Sequence, residues 1–221
     1  MARTAPVAAH AVAVLIAPLA DSWIARMFAA DGSLPRAIGG DRADLVRRAS
    51  GGDQAAFEHL MRTVGDRLLA TARKILRDPD AAEDAVQQTV ILAWRHLPRV
   101  RDPERFDGWL YKILVSCCYA EARRSRRFAS RVENLSQEPA AGDDADRRAE
   151  RDLIERAFQS LTPAHRAIVV LHYFVGLPLT EVAIIVGVKP GTVRSRLHYA
   201  LASLRAAVEA ADRPILTEVR G

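Results

Sequence analysis

The stretch LTEVAIIVGVKPGTVRSRLHYA, residues 179–200, carries the clearest structural pattern in the chain. Thr180 can cap a short helix over residues 181–186, and Gly187 suits the left-handed position that closes such a helix. Pro190 fits the first turn of a following helix, because its backbone angle is already helical and its missing N–H is not needed there. The stretch therefore predicts two helices joined by a tight turn.

The second of these helices has one apolar face and one basic face. Val193, Leu197 and Leu204 recur at helical spacing, whereas the opposite face carries arginine and hydroxyl side chains. A short helix, a glycine turn and a basic second helix are typical of a helix-turn-helix, whose second helix enters the DNA major groove. An ordinary helical hairpin with a solvated basic face is the alternative. The hydrogen-bonding side chains at the start of the second helix favour DNA binding.

The composition of the 221-residue chain supports a nucleic-acid partner and removes several other classes. It has 32 basic and 27 acidic residues, a formal net charge of +5 and a pI of about 9.7, and only three of the basic residues are lysines. Arginine suits phosphate and guanine because its planar fork donates two parallel hydrogen bonds. The sequence contains none of the motifs GxxxxGK[ST], GxGxxG, HExxH and GxSxG. It predicts no cofactor, no metal and no small-molecule substrate.

The two cysteines, Cys117 and Cys118, are neighbours in sequence and predict neither a disulfide framework nor a CxxC metal motif. An enzyme or a metal protein is one alternative class, and its candidate residues are these cysteines with His165 and His172. Solvated or core histidines explain the last two more simply. The globular part has no run of about 18 uncharged apolar residues, so a membrane-spanning protein is not predicted.

Helical periodicity dominates the chain and predicts an all-α fold of two small domains, over residues 41–128 and 149–210. Residues 129–148 contain a proline, a glycine and several acids, and they predict a flexible acidic linker. Residues 1–40 predict a poorly ordered or loosely packed extension, and residues 211–221 predict a tail. A targeting signal is the alternative for the extension, although prolines and a histidine interrupt its apolar run.

Acidic and hydroxyl side chains mark the predicted helix starts in both domains. Asp53 follows two glycines and can cap the next helix. Asp80 with Glu83 three residues later predicts a capping box, and Asp107 can cap a long helix. In the second domain, Thr162 stands before a proline and predicts another helix start.

Three motifs resemble the extracytoplasmic-function (ECF) class of bacterial sigma factors, a branch of the sigma-70 family. The stretch GTVRSRL at 191–197 resembles part of the promoter-reading domain of that class. Its polymerase-binding helix resembles DPDAAEDAVQQTVILAWRHL at 78–97, and its promoter-melting helix resembles FDGWLYKILVSCCYAEARRSRR at 106–127. The resemblance implies a cytoplasmic protein that is not an enzyme, binds core RNA polymerase, directs it to promoters and helps to melt DNA. It also implies an anti-sigma factor as a partner.

The polymerase contact of this family lies on the exposed face of the first motif helix. In this sequence that face combines polar side chains with one apolar residue, Ile91, which fits a protein interface with a small apolar anchor. A solvated helix face is the alternative, and Ile91 is the residue that it explains worst. The resemblance implies a polymerase contact at Asp84, Gln87, Gln88, Ile91 and Arg95, flanked by Thr89 and Trp94.

The family opens DNA with the loop before the second motif helix and the first turns of that helix, where one base of the minus-ten element is flipped out. A flipped base needs an apolar or aromatic wall and hydrogen bonds to its edge. A core position is the alternative for Trp109 and Tyr111. The resemblance implies minus-ten contacts by Arg101, Phe106, Trp109, Tyr111, Lys112 and Ser116. Phosphate contacts are expected from Arg123, Arg124, Arg126 and Arg127.

In the second domain, the resemblance implies recognition of the minus-thirty-five element by the helix that follows Gly187. A stand-alone helix-turn-helix regulator, which binds operators without polymerase, is the alternative function. The polar face of the 78–97 motif argues against it. The residues expected on base edges are Arg194, Ser195, His198 and Tyr199, and those expected on phosphates are Lys189, Thr192 and Arg196.

Overall fold

The computed structural model describes residues 41–100, 102–129, 157–158 and 160–211. These residues form helices and turns and contain no strand, as the sequence predicts. The α-helices are α1 (Asp41–Ser50), α2 (Gln54–Leu76), α3 (Pro79–His96), α4 (Phe106–Ala129), α5 (Pro163–Val169), α6 (Leu179–Val186) and α7 (Pro190–Ala211). A π-helical segment, Val170–Phe174, continues α5, and 3₁₀ turns cover Leu97–Arg99 and Pro103–Arg105.

Parts of the predicted organisation lie outside the described residues. These parts are the extension 1–40, all but the first residue of the linker 129–148, and all but the first residue of the tail 211–221. The last helix of the first domain runs to Ala129, and α7 runs to Ala211. None of the described helices has the length and apolar character needed to cross a membrane.

Asp53 joins α1 to α2 as predicted. Its carboxylate accepts a hydrogen bond from the Ala56 N–H at 3.0 Å and forms an ion pair with Arg48 at 2.7 Å. The backbone hydrogen bond, and then the Arg48 guanidinium, hold the pKa of Asp53 below its usual value. Gly52 has a φ of +94°, a left-handed conformation that suits glycine. The glycine and the cap together set the angle at which α2 leaves α1.

The start of α3 differs from the prediction. Asp78 is the capping residue, and its carboxylate accepts the Ala81 N–H at 3.1 Å. Pro79 decides the position, because proline fits the first helical turn and has no N–H to be capped. The predicted capping box at Asp80 is therefore wrong by two residues. Its partner Glu83 forms an ion pair with α2 at 3.0 Å instead.

The start of α4 also differs from the prediction. Asp102 caps the preceding 3₁₀ turn by accepting the Glu104 N–H at 3.1 Å, and that turn continues directly into α4 at Phe106. Asp107 lies inside the first helical turn, so its predicted role as the N-cap is wrong. Its carboxylate pairs instead with Arg42 of α1, 65 residues away in sequence.

The first domain closes around the apolar faces of α2, α3 and α4. Each fully buried leucine there contributes about 1.5–3 kcal/mol through its removal from water. Packing of this core leaves one side of α3 and one side of α4 exposed to solvent. The largest fully buried side chains are Leu60, Leu68, Ile75, Leu97, Phe106, Leu110 and Leu114.

The helix before the helix-turn-helix begins as predicted. The Thr162 hydroxyl accepts the His165 N–H at 3.3 Å and caps α5. The helix then widens into the π-helical segment. At the end of this segment, the Val175 N–H donates to the Val170 carbonyl at 2.9 Å. A glycine at 176, with a φ of +83°, turns the chain toward α6.

The helix-turn-helix is present with two of its three predicted boundary signals. Gly187 closes α6 with a φ of +71°, and α7 begins at Pro190, both as predicted. The predicted cap at Thr180 is wrong, because no side chain caps α6. The Pro178 carbonyl accepts the N–H groups of the residues three and four places later, so the helix begins before Thr180.

The helices of the two predicted domains touch each other. α4 lies against α6, and α2 lies against α5 and the π-helical segment. Arg67 of α2 donates from Nη2 to the Val175 carbonyl at 2.9 Å. Arg166 of α5 donates from Nε to the Ile75 carbonyl at 2.6 Å. The helix-turn-helix therefore rests directly on the first domain.

Candidate nucleic-acid and partner interfaces

The predicted reading face of α7 is open to solvent. Arg194 and His198 lie four residues apart, so their side chains share one side of the helix. The Ser195 hydroxyl between them donates to the Thr192 carbonyl at 3.0 Å. This arrangement can present a guanidinium, an imidazole and a hydroxyl to a major groove. The exposed residues are Lys189, Arg194, Ser195, His198 and Tyr199, and the half-buried ones are Thr192 and Arg196.

His165 of α5 supports this face, a role that the sequence analysis missed. Its ring centroid lies 5.3 Å from that of Tyr199, and its Nδ1 lies 3.0 Å from the Thr162 hydroxyl oxygen. Burial, and then the positive charge of Arg196, lower the pKa of His165 below its usual value. The ring is therefore neutral at pH 7 and packs against Tyr199 as an aromatic surface.

The four candidates for a catalytic or metal site do not come together. Cys117 and Cys118 are buried in α4, His165 lies in α5, and His172 donates from Nδ1 to the Leu177 carbonyl at 2.8 Å. Burial raises the pKa of Cys118 to about 12, so its thiol is protonated at neutral pH. Within the described ranges, no three histidine, cysteine or acidic side chains are grouped to hold a metal ion.

Two aromatic residues predicted to contact the flipped base lie in the core. Phe106 is 1% exposed and Tyr111 is 5% exposed. The Arg42 guanidinium covers Phe106, 5.7 Å from its ring centroid, and burial raises the pKa of Tyr111 to about 12. The prediction of a base contact is corrected for both, because a buried ring offers no face to a base. Tyr111 takes the core position that was its alternative.

The other described residues that are predicted to contact the minus-ten element form a strip on α4, which is exposed at two of its three positions. Trp109 is half-buried, and its ring centroid lies 5.7 Å from that of Phe106. Lys112 and Ser116 are exposed, and the Ser116 hydroxyl donates to the Lys112 carbonyl at 2.9 Å. Their spacing of three and four residues places them on one side of the helix with Trp109. Arg101 lies outside the described residues.

Arg42 of α1 holds the start of α4, and no local sequence signal marks it. Its guanidinium pairs with Asp107 and lies over the Phe106 ring. The pairing offsets the negative charge of a carboxylate in the first turn of α4, the helix predicted to contact DNA, where that charge would repel phosphates. α1 also contacts both 3₁₀ turns that flank the loop before α4. Arg42 is therefore a positioning residue for this strip.

The basic end of α4 is exposed as predicted, although one of its arginines has acidic neighbours. Arg124 Nη1 lies 3.3 Å from Glu121 and 3.7 Å from Asp84 of α3. That second ion pair connects the basic end of α4 to the predicted polymerase face of α3. The remaining exposed arginines are Arg123, Arg126 and Arg127.

The predicted polymerase face of α3 is open to solvent at six of its seven positions. Thr89 is the exception, since it is 0% exposed and its hydroxyl donates to the Ala85 carbonyl at 2.7 Å. Its predicted partner contact is corrected, because it lies on the packed side of α3 with its hydroxyl satisfied internally. The exposed residues are Asp84, Gln87, Gln88, Ile91, Trp94 and Arg95.

Ile91 and Trp94 form an apolar patch within this polar face. They are 37% and 39% exposed, and their spacing of three residues makes them neighbours on the surface. The Trp94 ring rests on Phe57 of α2, with ring centroids 4.9 Å apart. A partly exposed tryptophan beside an isoleucine, surrounded by polar side chains, is typical of a protein-interface hot spot.

Sequence profiles of two family domains match the helices that carry these surfaces. Sigma-70 region 2 matches residues 60–128, and Sigma-70, region 4 matches residues 157–206. The chain belongs to the sigma-70 family. The region 2 match contains α3 and most of α4, and the region 4 match contains the helix-turn-helix of this sigma factor.

Named relatives place the sigma factor in the ECF group. It is 34% identical over 163 residues to the ECF RNA polymerase sigma factor SigL of Mycobacterium tuberculosis strain H37Rv, across 70% of this chain and 92% of SigL. It is 32% identical over 163 residues to the RNA polymerase sigma factor CarQ of Myxococcus xanthus, across 72% of this chain and 93% of CarQ. The predicted family is confirmed.

Two solved structures share the fold of the sigma factor. CnrH, in complex with the cytosolic domain of CnrY, has a TM-score of 0.56 and 26% identity, over 77% of this chain and 99% of the solved chain. The sigma factor RpoE of Bartonella quintana, in complex with the anti-sigma factor NepR, has a TM-score of 0.54 and 25% identity, over 71% of this chain and 98% of the solved chain. The predicted all-α fold is confirmed.

Proposed function

We propose that this ECF sigma factor binds core RNA polymerase through the exposed face of α3 and reads its promoter through α4 and α7. The proposal rests on three exposed surfaces of one chain. Two are basic helical faces, and the third is a polar face that contains the apolar patch of Ile91 and Trp94. A stand-alone regulator needs the basic faces alone. The sigma factor would act in the cytoplasm beside the polymerase, with no catalytic chemistry of its own.

At the minus-ten element, the exposed strip on α4 is proposed to receive the flipped base. Trp109 offers part of an aromatic ring for stacking, and Lys112 and Ser116 offer hydrogen-bond donors on the same side of the helix. Phe106 lies beneath Trp109 and fixes its ring from the core. The exposed arginines at the end of α4 would grip the adjoining phosphates.

At the minus-thirty-five element, α7 is proposed to enter the major groove with its first turns. Arg194 has the fork geometry to donate to both guanine acceptors, O6 and N7. Ser195 and His198 lie beside it on the exposed side of the helix. Lys189, just before the helix begins, would pair with a phosphate near the helix N-terminus.

An anti-sigma factor is the third proposed partner. CnrH is bound to the cytosolic domain of CnrY, and RpoE of Bartonella quintana is bound to the anti-sigma factor NepR. The shared fold supports a regulatory partner of this class for the present chain.

In vitro transcription tests the proposal. Bacterial core RNA polymerase is incubated with and without the sigma factor, on templates randomised at both promoter elements. We expect transcripts that depend on the sigma factor, from templates that share two sequence blocks. An absence of dependent transcripts, together with tight sequence-specific DNA binding by the isolated chain, would support the stand-alone regulator instead.

Replacing Arg123 and Arg127 by glutamine should lower the salt dependence of promoter binding by the polymerase holoenzyme. Each lost phosphate contact removes about 0.9 from the slope of log K against log salt, so the pair removes about 1.8. The slope should fall equally on promoter and scrambled DNA, because phosphates carry no sequence information. Arg47→Gln on α1 is the control, since this exposed arginine lies outside the proposed DNA surfaces. An unchanged slope would show that the end of α4 does not touch DNA.

A further inference from the structure

A groove opens beside the predicted reading face, between the start of α5 and the middle of α7. Its volume is about 420 Å³. Hydroxyl and aromatic side chains dominate its walls, and none of the side chains that line it carries a carboxylate. The groove can therefore offer hydrogen-bond donors without repelling an anion. The lining residues are Ser160, Leu161, Thr162, His165, Tyr199 and Ser203.

The helix cap of α5 determines which nitrogen of His165 carries the ring proton. The Thr162 hydroxyl oxygen accepts the His165 N–H at 3.3 Å and lies 3.0 Å from Nδ1. Burial, and then the charge of Arg196, lower the pKa of His165, so the ring is neutral at pH 7 and only one ring nitrogen is protonated. The hydroxyl that accepts from the backbone still has its own proton to donate, and Nδ1 accepts it. The ring proton is therefore on Nε2, which remains as an N–H donor.

Tyr199 leans on this histidine. The two ring centroids are 5.3 Å apart with an interplanar angle of 34°, although 61% of Tyr199 is exposed. A tyrosine side chain has only two rotatable bonds, so the contact restricts the positions that its hydroxyl can reach. Arg196, three residues earlier on α7, is near enough to influence the charge of His165. A phenol, an imidazole N–H and a guanidinium are thus gathered at one place, and a set of donors of this kind suits an anion.

The helical geometry of α7 places this group at the edge of the reading face. Successive residues of an α-helix are about 100° apart around its axis. If Arg194 and His198 face the base edges, Tyr199 faces sideways toward α5, where it meets His165. A helix nearly fills the major groove, which is about 12 Å wide, so side chains at its edge meet the sugar-phosphate walls. A phosphate oxygen is therefore the acceptor that this edge would meet.

We propose that His165, Tyr199 and Arg196 form a binding site for one backbone phosphate of promoter DNA, on the wall of the major groove that lies beside α5. The inference rests on the proposed function, because it takes α7 as the helix that enters the groove. Tyr199 would donate its phenolic O–H to a phosphate oxygen instead of contacting a base edge, and His165 would donate from Nε2. The helix before the helix-turn-helix would thereby help to orient α7 on the DNA.

Two substitutions remove the donors and keep the aromatic contact. Tyr199→Phe loses only the hydroxyl, and His165→Phe retains a ring against Tyr199. Each should weaken binding of the polymerase holoenzyme to promoter DNA about threefold to tenfold, and equally on scrambled DNA. His59→Gln is the control, because this exposed histidine lies on α2, outside the proposed DNA surfaces. Thermal unfolding checks that every variant is folded.

The salt dependence of binding separates the charged member of the site from the neutral ones. Arg196→Gln should lower the slope of log K against log salt by about 0.9, because one fewer counterion is released. Tyr199→Phe should lower the affinity and leave the slope unchanged, since a neutral donor releases no counterion. An unchanged affinity in the folded Tyr199→Phe and His165→Phe proteins would overturn the site.

Substitution of single phosphates identifies the DNA partner. Duplexes in which one phosphate of the minus-thirty-five region is replaced by a neutral methylphosphonate are compared one position at a time. We expect one position at which the parent holoenzyme loses about threefold to tenfold and Tyr199→Phe loses nothing further, because both changes remove the same contact. A changed base preference in Tyr199→Phe, with no such position, would assign Tyr199 to a base edge and overturn the proposal.

Two further comparisons separate the remaining outcomes. Inorganic phosphate is compared with chloride at equal ionic strength. Inhibition by phosphate that Tyr199→Phe abolishes, without a response to any methylphosphonate, would assign the groove to a free anion and overturn the DNA contact. A parent holoenzyme that binds promoter and scrambled DNA equally, while one methylphosphonate position still responds as expected, would overturn promoter reading and support the phosphate site.

Discussion

Replacing Trp94 by alanine is expected to weaken binding of the sigma factor to core RNA polymerase by about 2–4 kcal/mol, or about 30- to 1,000-fold in Kd. Trp94 is a large apolar side chain on an otherwise polar face, and it is 39% exposed before any partner binds. Burying this ring in an interface removes a large area from water at a small loss of side-chain freedom. Titration of labelled core polymerase measures the change.

The fold has to be checked beside the affinity, because Trp94 also packs on Phe57. Thermal unfolding of Trp94→Ala reports whether the first domain is intact. Trp94→Phe keeps an aromatic ring above Phe57 and should retain most of the binding. An unchanged affinity in a folded Trp94→Ala protein would move the polymerase contact to another surface of the chain.

Replacing Arg194 by alanine is expected to weaken promoter binding by the holoenzyme by about 1–3 kcal/mol. The guanidinium is exposed in the second turn of α7, where a recognition helix makes its base contacts. Loss of a bidentate contact to guanine should also relax the base preference at one position of the minus-thirty-five element. Competition binding with single-base promoter variants measures both effects.

Arg205→Gln provides the control on the same helix, since Arg205 lies three turns beyond Arg194 and is half-buried. It should leave the base preference unchanged. An equal loss of affinity by Arg194→Ala on promoter and scrambled DNA would show that Arg194 touches only a phosphate.

Helix ends were predictable from the sequence where one residue type decides them. Gly187 has a left-handed backbone that few other residues adopt, and Pro190 suits only the first turn of a helix. The start of α3 offered two aspartates, Asp78 and Asp80, and the proline between them made the choice. Asp107 is not the N-cap of α4, because a 3₁₀ turn leads directly into that helix. At such helix starts two local sequence signals conflict, and the one that restricts the backbone more strongly determines where the helix begins.

Exposed faces were predictable where a helix packs on one side only. The polar faces of α3 and α7 are open as predicted, except at Thr89, whose hydroxyl is satisfied by its own helix. α4 is different, because α2, α3 and α6 all lie against it. With so many neighbours, helical periodicity does not separate exposed positions from buried ones, and Phe106 and Tyr111 fell in the core. The contact of Arg42 joins residues too distant in sequence to form any local pattern.

Burial makes the two cysteines of α4 poor targets for oxidants. The thiolate, and not the thiol, is the form of cysteine that reacts with peroxides and that takes part in disulfide exchange. Burial raises the pKa of Cys118 to about 12 and raises that of Cys117 as well. As protonated thiols buried in α4, Cys117 and Cys118 are poor candidates for a redox sensor.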